Sequence, residues 1–226
     1  MSNLLVAAIF FVGTHLGISS TQLRSQLIDR IGDTLYRILY SAIALVALIW
    51  MIDAYAEAPY QPLWYGGGFW RFVPTLVMPF ALILLVTGLS GPNPTALGQA
   101  PDPDASEPAR GMLRVTRHPV MWGIGLWALA HLLANPDLAS FILFGAMAVL
   151  AFGGAFALDQ RRTRENPPGW GVFVQRTSFV PFGAIVEGRQ RFVAREIGWI
   201  KLAVALALYV VLFVAHPYLF GVPVAG

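Results

Sequence analysis

Residues 116–135 read TRHPVMWGIGLWALAHLLAN, and the fold is decided by this stretch. A basic opening, Arg117-His118, meets Pro119, and the chain then turns apolar. Proline suits the first turn of a helix, where its missing N–H leaves nothing unpaired. The apolar run carries a second histidine, His131, almost to its far end. Thirteen residues separate His118 from His131. On a helix that is ~20 Å, with the two side chains on faces roughly 140° apart, so they cannot bind one metal together. An ionisable side chain in an apolar span is costly and marks a functional-site hypothesis.

The whole chain shares the character of this stretch. Of its 226 residues, 57% are hydrophobic and 12% charged, with a mean hydropathy of +0.63. That composition excludes an ordinary soluble domain and predicts an all-α, polytopic transmembrane helix bundle, one integral membrane domain over residues 1–226. The absence of cysteine excludes disulfides, thiolate-ligated haem and cysteine-ligated iron–sulfur clusters. A net charge of +3 comes from loop arginines. It shows no interleaved basic–aromatic patch, so no nucleic-acid partner is expected.

Outward from the central stretch, the hydropathy pattern predicts about six spans. Residues 3–18, 35–51 and 70–90 precede it, and residues 138–158 and 198–216 follow. The segment at 3–18 has no basic residue before its apolar run, so it reads as a retained span rather than a signal peptide. Residues 21–33 place Leu23, Leu27, Ile28 and Ile31 on one face, as an amphipathic interfacial helix does. The aromatic-rich 53–69 reads as an interfacial connection, and Pro74 and Pro79 as kinks in the third span. The proline-rich 91–110 reads as a flexible aqueous loop, and Asn135-Pro136-Asp137 as a tight turn between antiparallel spans. Residues 159–195 are polar, with an apolar interruption at 179–186, and Pro217 closes the last span. Fourteen of the fifteen basic residues then fall on one side, leaving Arg71 for the other. The positive-inside rule places both termini outside the cytoplasm.

Depth sorts the four histidines. His15 lies twelve residues in from Asn3, ~18 Å, and His131 thirteen from His118, ~20 Å, so both fall near the middle of a hydrocarbon core of about 30 Å. His216 lies fifteen residues beyond Lys201, ~22 Å and nearer the outer surface. The candidate pair across one buried ligand is His15 with His131, and its rival is His131 with His216. Two neutral imidazoles on separate helices can hold a haem iron, whereas a lone intramembrane histidine often bonds a neighbouring helix. Gly123, Trp127 and Ala128 share the sector of His131, where they either bound a flat pocket or pack helices. Arg114, Arg117 and His118 form a cationic rim, either an anion site for propionates or phosphates or a positive-inside anchor. Asp159 and Arg161–Arg164 read as a helix end facing solvent. No phosphate-cradling glycine loop, HExxH or nucleophile elbow is present.

Several short segments together carry a resemblance: His15-Leu16-Gly17, Leu23-Arg24, Tyr36-Arg37 with Tyr40-Ser41, Arg117-His118-Pro119 through Ala130-His131, and Thr177-Ser178-Phe179-Val180-Pro181-Phe182. Over nearly its whole length the chain resembles the NnrU family of bacterial membrane proteins. The resemblance implies a link to denitrification, and a bacterial inner membrane location with periplasmic termini. That family is similar in turn to the plant and algal 15-cis-ζ-carotene isomerase, a membrane enzyme that uses haem b. This likeness implies His15 and His131 as axial ligands; Arg37, Arg117, His118 and Trp127 complete the candidate cofactor contacts. It also implies a redox-gated isomerisation of a lipophilic substrate, in which one histidine leaves the reduced iron. Lipid and such a substrate are the expected partners, with the electron donor unnamed. A different class is suggested by RHPVMWG followed by Gly169-Trp170, Phe173 and Pro181, which is similar to membrane methyltransferases that use S-adenosylmethionine. Those usually carry paired glutamates where this chain has Leu158-Asp159-Gln160. A non-catalytic assembly or regulatory protein is the third reading.

Overall fold

The computed structural model describes residues 1–19, 21–65, 67–96 and 98–224. Its main helices are α1 (Ser2–Ser19), α2 (Gln22–Ile31), α3 (Asp33–Ala56), α4 (Gly68–Leu89), α5 (Pro119–Ala134) and α6 (Leu138–Glu165). Three short helices follow, α7 (Trp170–Gln175), α8 (Gly183–Val186) and α9 (Ala194–Ile197), and then the long α10 (Trp199–Phe220). A 3-10 turn at Gly111–Arg114 precedes α5. The protein is thus an all-α membrane bundle, as its composition requires.

Length and hydropathy qualify α3, α4, α6 and α10 to cross a membrane outright, and α1 with α2 qualify as a bent pair. The helix α5 has 16 residues, ~24 Å, shorter than the hydrocarbon core. These are the apolar segments expected, two of them short. The amphipathic segment is a separate helix, α2, which buries none of its residues and is capped by the Thr21 hydroxyl accepting from the Leu23 N–H at 3.3 Å. The helix α4 stays one element through Pro74 and Pro79. Pro217 does not close the last span, because α10 continues to Phe220.

The packing order differs from the chain order. The helix α1 lies between α3 and α6, α6 pairs with α5, α5 with α4, and α4 with α10. Small residues set the closeness of these pairs. A Cβ on Gly123 would stand 2.8 Å from the Ala81 carbonyl oxygen and 2.7 Å from Leu85 of α4, and one on Gly125 would stand 2.3 Å from the Phe152 ring of α6. Helices in lipid associate through such close approach. The first core joins Leu4, Ala7, Ala8 and Phe11 to Ala47, Met51, Ala54 and Ala139. At one edge, α10 buries Ala205 and turns Val204, Val210, Val211 and Val214 outward, toward lipid.

The bundle has two unlike ends. At the turn end, Asp137 caps α6 by accepting the Ser140 N–H at 3.0 Å. There the turn also bridges the 57–67 connection through Leu63 N–H to the Pro136 carbonyl at 2.8 Å. The opposite, arginine-rich end is more elaborate. Its 91–110 connection is not the free loop its prolines suggested. Asn93 is buried and bonds Gly88, Thr95 and Gln99. The Thr95 hydroxyl reaches the Arg117 carbonyl at 2.7 Å, and Pro101 and Pro103 pack against Gly169. Prolines with fixed φ lose little entropy on docking, so they suit a packed strap as well as a flexible one.

Candidate functional site

Where α5 begins, the chain buries three ionisable side chains together. His118 is fully buried, and Arg117 and Asp159 keep 14% of their side chains exposed. Asp159 sits on α6, which continues almost two turns beyond the apolar run and carries this carboxylate back against the start of α5. Its Oδ1 accepts from His118 Nε2 at 2.8 Å. Its Oδ2 accepts from Arg117 Nε at 2.8 Å and also from the Arg117 terminal nitrogen. The reading of Asp159 as a solvent-facing helix end is therefore corrected: it is the centre of the cluster. Two charge-assisted donors offset the cost of burying a carboxylate.

The signature segment at 177–182 holds this cluster in place. Arg117 N–H donates to the Ser178 carbonyl at 3.0 Å, and Phe182 N–H to the Val115 carbonyl at 2.8 Å. The Phe179 carbonyl accepts from the Thr116 hydroxyl and the Trp122 indole, each at 2.8 Å. The Phe179 ring meets His118 edge-on at 5.2 Å and lies under Arg117 at 5.9 Å. Phe182 adopts φ 65°, a left-handed conformation rare for a bulky residue and costly unless its surroundings enforce it. A cavity of about 360 Å³ opens beside Arg117 and Asp159, walled by Phe156, Val174 and Phe179 with Gln160 and Thr163. His118 Nδ1 is buried with no hydrogen-bond partner among the described residues. Arg117 and His118 thus clasp a carboxylate of the chain itself, where the sequence had left an external anion and membrane anchoring open.

Arg114 makes a second buried pair. Its guanidinium donates to both oxygens of Glu196, at 2.8 and 3.0 Å, and lies 3.3 Å from Glu107. Gly111 also donates its N–H to Glu196 at 3.0 Å. With φ 58° and a Cβ position 2.9 Å from the Glu196 carbonyl oxygen, that position requires glycine. The hydrogen-bonded guanidinium holds the Glu196 carboxyl below its ordinary range.

The remaining histidines lie elsewhere. His131 donates Nδ1–H to the Trp127 carbonyl at 2.9 Å and packs against the rings of Trp127 and Phe144 at 5.6 and 5.3 Å. His15 bonds the Phe11 carbonyl through Nδ1 at 2.7 Å and faces Tyr40 at 5.6 Å. Tyr40 stacks on Tyr36, whose hydroxyl is buried without a partner among the described residues and whose ring lies under Arg24 at 5.7 Å. The first signature segments thus form a group of their own near the arginine-rich end, flanked by Arg37, which pairs with Asp33. His216 bonds the Val222 carbonyl through Nδ1 at 2.7 Å. In each case Nδ1–H is satisfied by a carbonyl, which fixes the tautomer with the proton on Nδ1.

His15 and His131 do not meet. Leu16 lies against Gly153 of α6, and His131 lies against Phe144. Nine residues of α6 separate those two levels, ~13 Å, and α1 and α5 stand on separate flanks of α6. The shared depth expected of the pair is not seen, because His131 is three residues and His15 four residues from the C-terminal ends of helices that run in opposite directions. The residues therefore do not fit a haem clamped between His15 and His131 in this conformation. Gly123, placed in a possible flat pocket, is filled by Leu85 and Ala81, so packing is its role.

Comparison with known proteins gives these segments a lineage. The chain matches the family model described as NnrU protein over residues 3–224, and it belongs to that family. It is similar to the protein named 15-cis-zeta-carotene isomerase, chloroplastic, of Zea mays, with 28% identity over 199 residues, 83% of this chain and 51% of that protein. The protein of the same name from Arabidopsis thaliana is 35% identical over 115 residues, 49% of this chain and 31% of that protein. The chain thus spans about half the length of these curated relatives or less. No solved structure matches.

Proposed function

We propose that this NnrU-family membrane protein is an isomerase that changes double-bond geometry in a lipid-soluble substrate of the ζ-carotene class. The observation that carries this reading is the similarity to 15-cis-zeta-carotene isomerase across 83% of the chain. Supporting it, the chain exposes aliphatic helix faces on α3 and α10 through which an apolar substrate can be exchanged with the bilayer. The test is expression in cells that accumulate 15-cis-ζ-carotene, with the isomer ratio read chromatographically. Conversion to the all-trans bond at position 15 supports the reading. An unchanged ratio with the protein present in the membrane overturns it.

Haem b belongs to this proposal on the resemblance. The pair to test first is His131 with His216, since the levels of His15 and His131 are nine residues of α6 apart, ~13 Å. An oxidised and reduced absorption spectrum tests it. Bleaching by His131→Ala and His216→Ala, with His15→Ala unaffected, supports this pair. Bleaching by His15→Ala with His216→Ala unaffected returns the assignment to His15 and His131 and requires α1 and α5 to move together. The link to denitrification is a separate proposal on the family resemblance, supported if deletion of the gene slows nitrite or nitric oxide consumption and overturned if consumption is unchanged.

A further inference from the structure

At the arginine-rich end, residues 176–196 and the 3-10 turn enclose a second cavity, of about 460 Å³, whose walls are polar. Arg114, Arg176, Arg191 and Arg195 line it, with Glu107 and Glu196. Both acids are committed to Arg114. Arg189, also in the wall, is committed to Glu187 and to the Gln175 and Thr177 carbonyls. The guanidinium groups of Arg176, Arg191 and Arg195 are left with no hydrogen-bond or ion-pair partner among the described residues, and all three line one concavity. Uncompensated charge in a concave wall focuses its field on an anion, and guanidinium groups match a phosphate in shape and donor spacing.

The setting identifies the source of that anion. Val186, Phe192 and Trp199 are 84%, 53% and 77% exposed, and each is close in sequence to a lining residue. Trp199 is also the first residue of α10, where the chain enters the apolar region. Aromatic and aliphatic side chains at such a boundary lie at headgroup level. We propose that this cavity binds the phosphate headgroup of an anionic phospholipid from the leaflet bordering the arginine-rich end. A count of basic residues explains orientation, but not why three unpaired guanidinium groups share a cavity whose acids are already used. The Arg114–Glu196 pair, bonded through both carboxylate oxygens, fixes one part of the wall, and the three exposed arginines stand in the rest of it.

The experiment uses the full chain purified in detergent. Thermal midpoints are measured with added phosphatidylglycerol, phosphatidylcholine or inorganic phosphate, and bound lipid is counted by native mass spectrometry. Phosphatidylglycerol is expected to raise the midpoint of the parent protein by several degrees and to be retained as one bound lipid. Phosphatidylcholine and phosphate are expected to do neither. Replacing Arg176, Arg191 and Arg195 together by Gln should abolish the increment and the bound lipid, while Arg30→Gln, outside the cavity, should leave both intact. Should the triple variant fail to fold, Arg191→Gln alone must reduce lipid retention several-fold. Equal stabilisation by phosphatidylcholine, or loss in Arg30→Gln, would overturn the proposal. Full stabilisation by inorganic phosphate, lost in the triple variant, would overturn the lipid assignment in favour of a soluble phosphate ligand.

Discussion

The two ends of the bundle are built on different principles. At the turn end, Asp137 caps α6, one β-bridge ties the connections together, and His131 and His216 satisfy Nδ1 on nearby carbonyls. At the arginine-rich end, segments distant in sequence are joined by charge: Arg117 and His118 to Asp159, and Arg114 to Glu196. Local bonds fix a helix end but say nothing about its neighbour. A buried ion pair specifies a partner, because the alternative is an unpaired charge in a poor solvent. The difference teaches that the signature residues at the start of α5 are architectural first. They hold α5, α6 and the 177–182 segment in one arrangement, and any ligand beside them meets a preformed wall.

Asp159→Ala should therefore have the largest effect. It strands a guanidinium and a fully buried imidazole at once, and should cost about 3–5 kcal/mol, measured as a fall in thermal midpoint in detergent. A loss below about 1 kcal/mol would break the contrast between the two ends. Glu196→Gln should cost less, about 1–2 kcal/mol, since Arg114 keeps Glu107 and Gln190 as partners. Its signature is the pH dependence. The Glu196 carboxyl is held below its ordinary value by Arg114. Its stabilisation is thus fully present above the unfolded value of about 4.3 and is lost as pH falls through the lowered one. Parent and Glu196→Gln should converge in acid and separate as pH rises; a constant gap would remove the ion pair as the cause. Asp137→Ala should have the smallest effect, about 1 kcal/mol for a lost N-cap. A cost equal to that of Asp159→Ala would mean that the turn end is as specific as the other.

Much of the fold was legible in the chain. The apolar runs, Pro119 at the start of α5, the Asn-Pro-Asp turn and the polar face of α2 all report on residues within a turn or two of one another. The candidate site was legible only in part. Arg117, His118 and the 177–182 segment stood out, but Asp159 looked like one more charged residue in an arginine-rich helix end. Its signal was faint: a lone acid on the sector of α6 that also carries Phe152, the residue meeting Gly125 of α5. His15 and His131 were matched by counting residues from assumed boundaries, and the true boundaries put both near the C-terminal ends of helices that run in opposite directions.

Hydrophobicity and periodicity by themselves determined that this protein is an all-helical membrane bundle with its cations gathered at one end, because each helix satisfies its own backbone and needs no partner to declare itself. Only the tertiary structure decided which cations are spent and which are free. Arg114 and Arg117 are locked to Glu196 and Asp159, more than 40 residues away along the chain. Arg176, Arg191 and Arg195 are left facing a cavity. The physical reason is that ion pairing acts over a few ångströms in space, whatever the separation in sequence, so the pairing exists only once α6 has carried its polar end against the start of α5 and α9 has docked on the 3-10 turn.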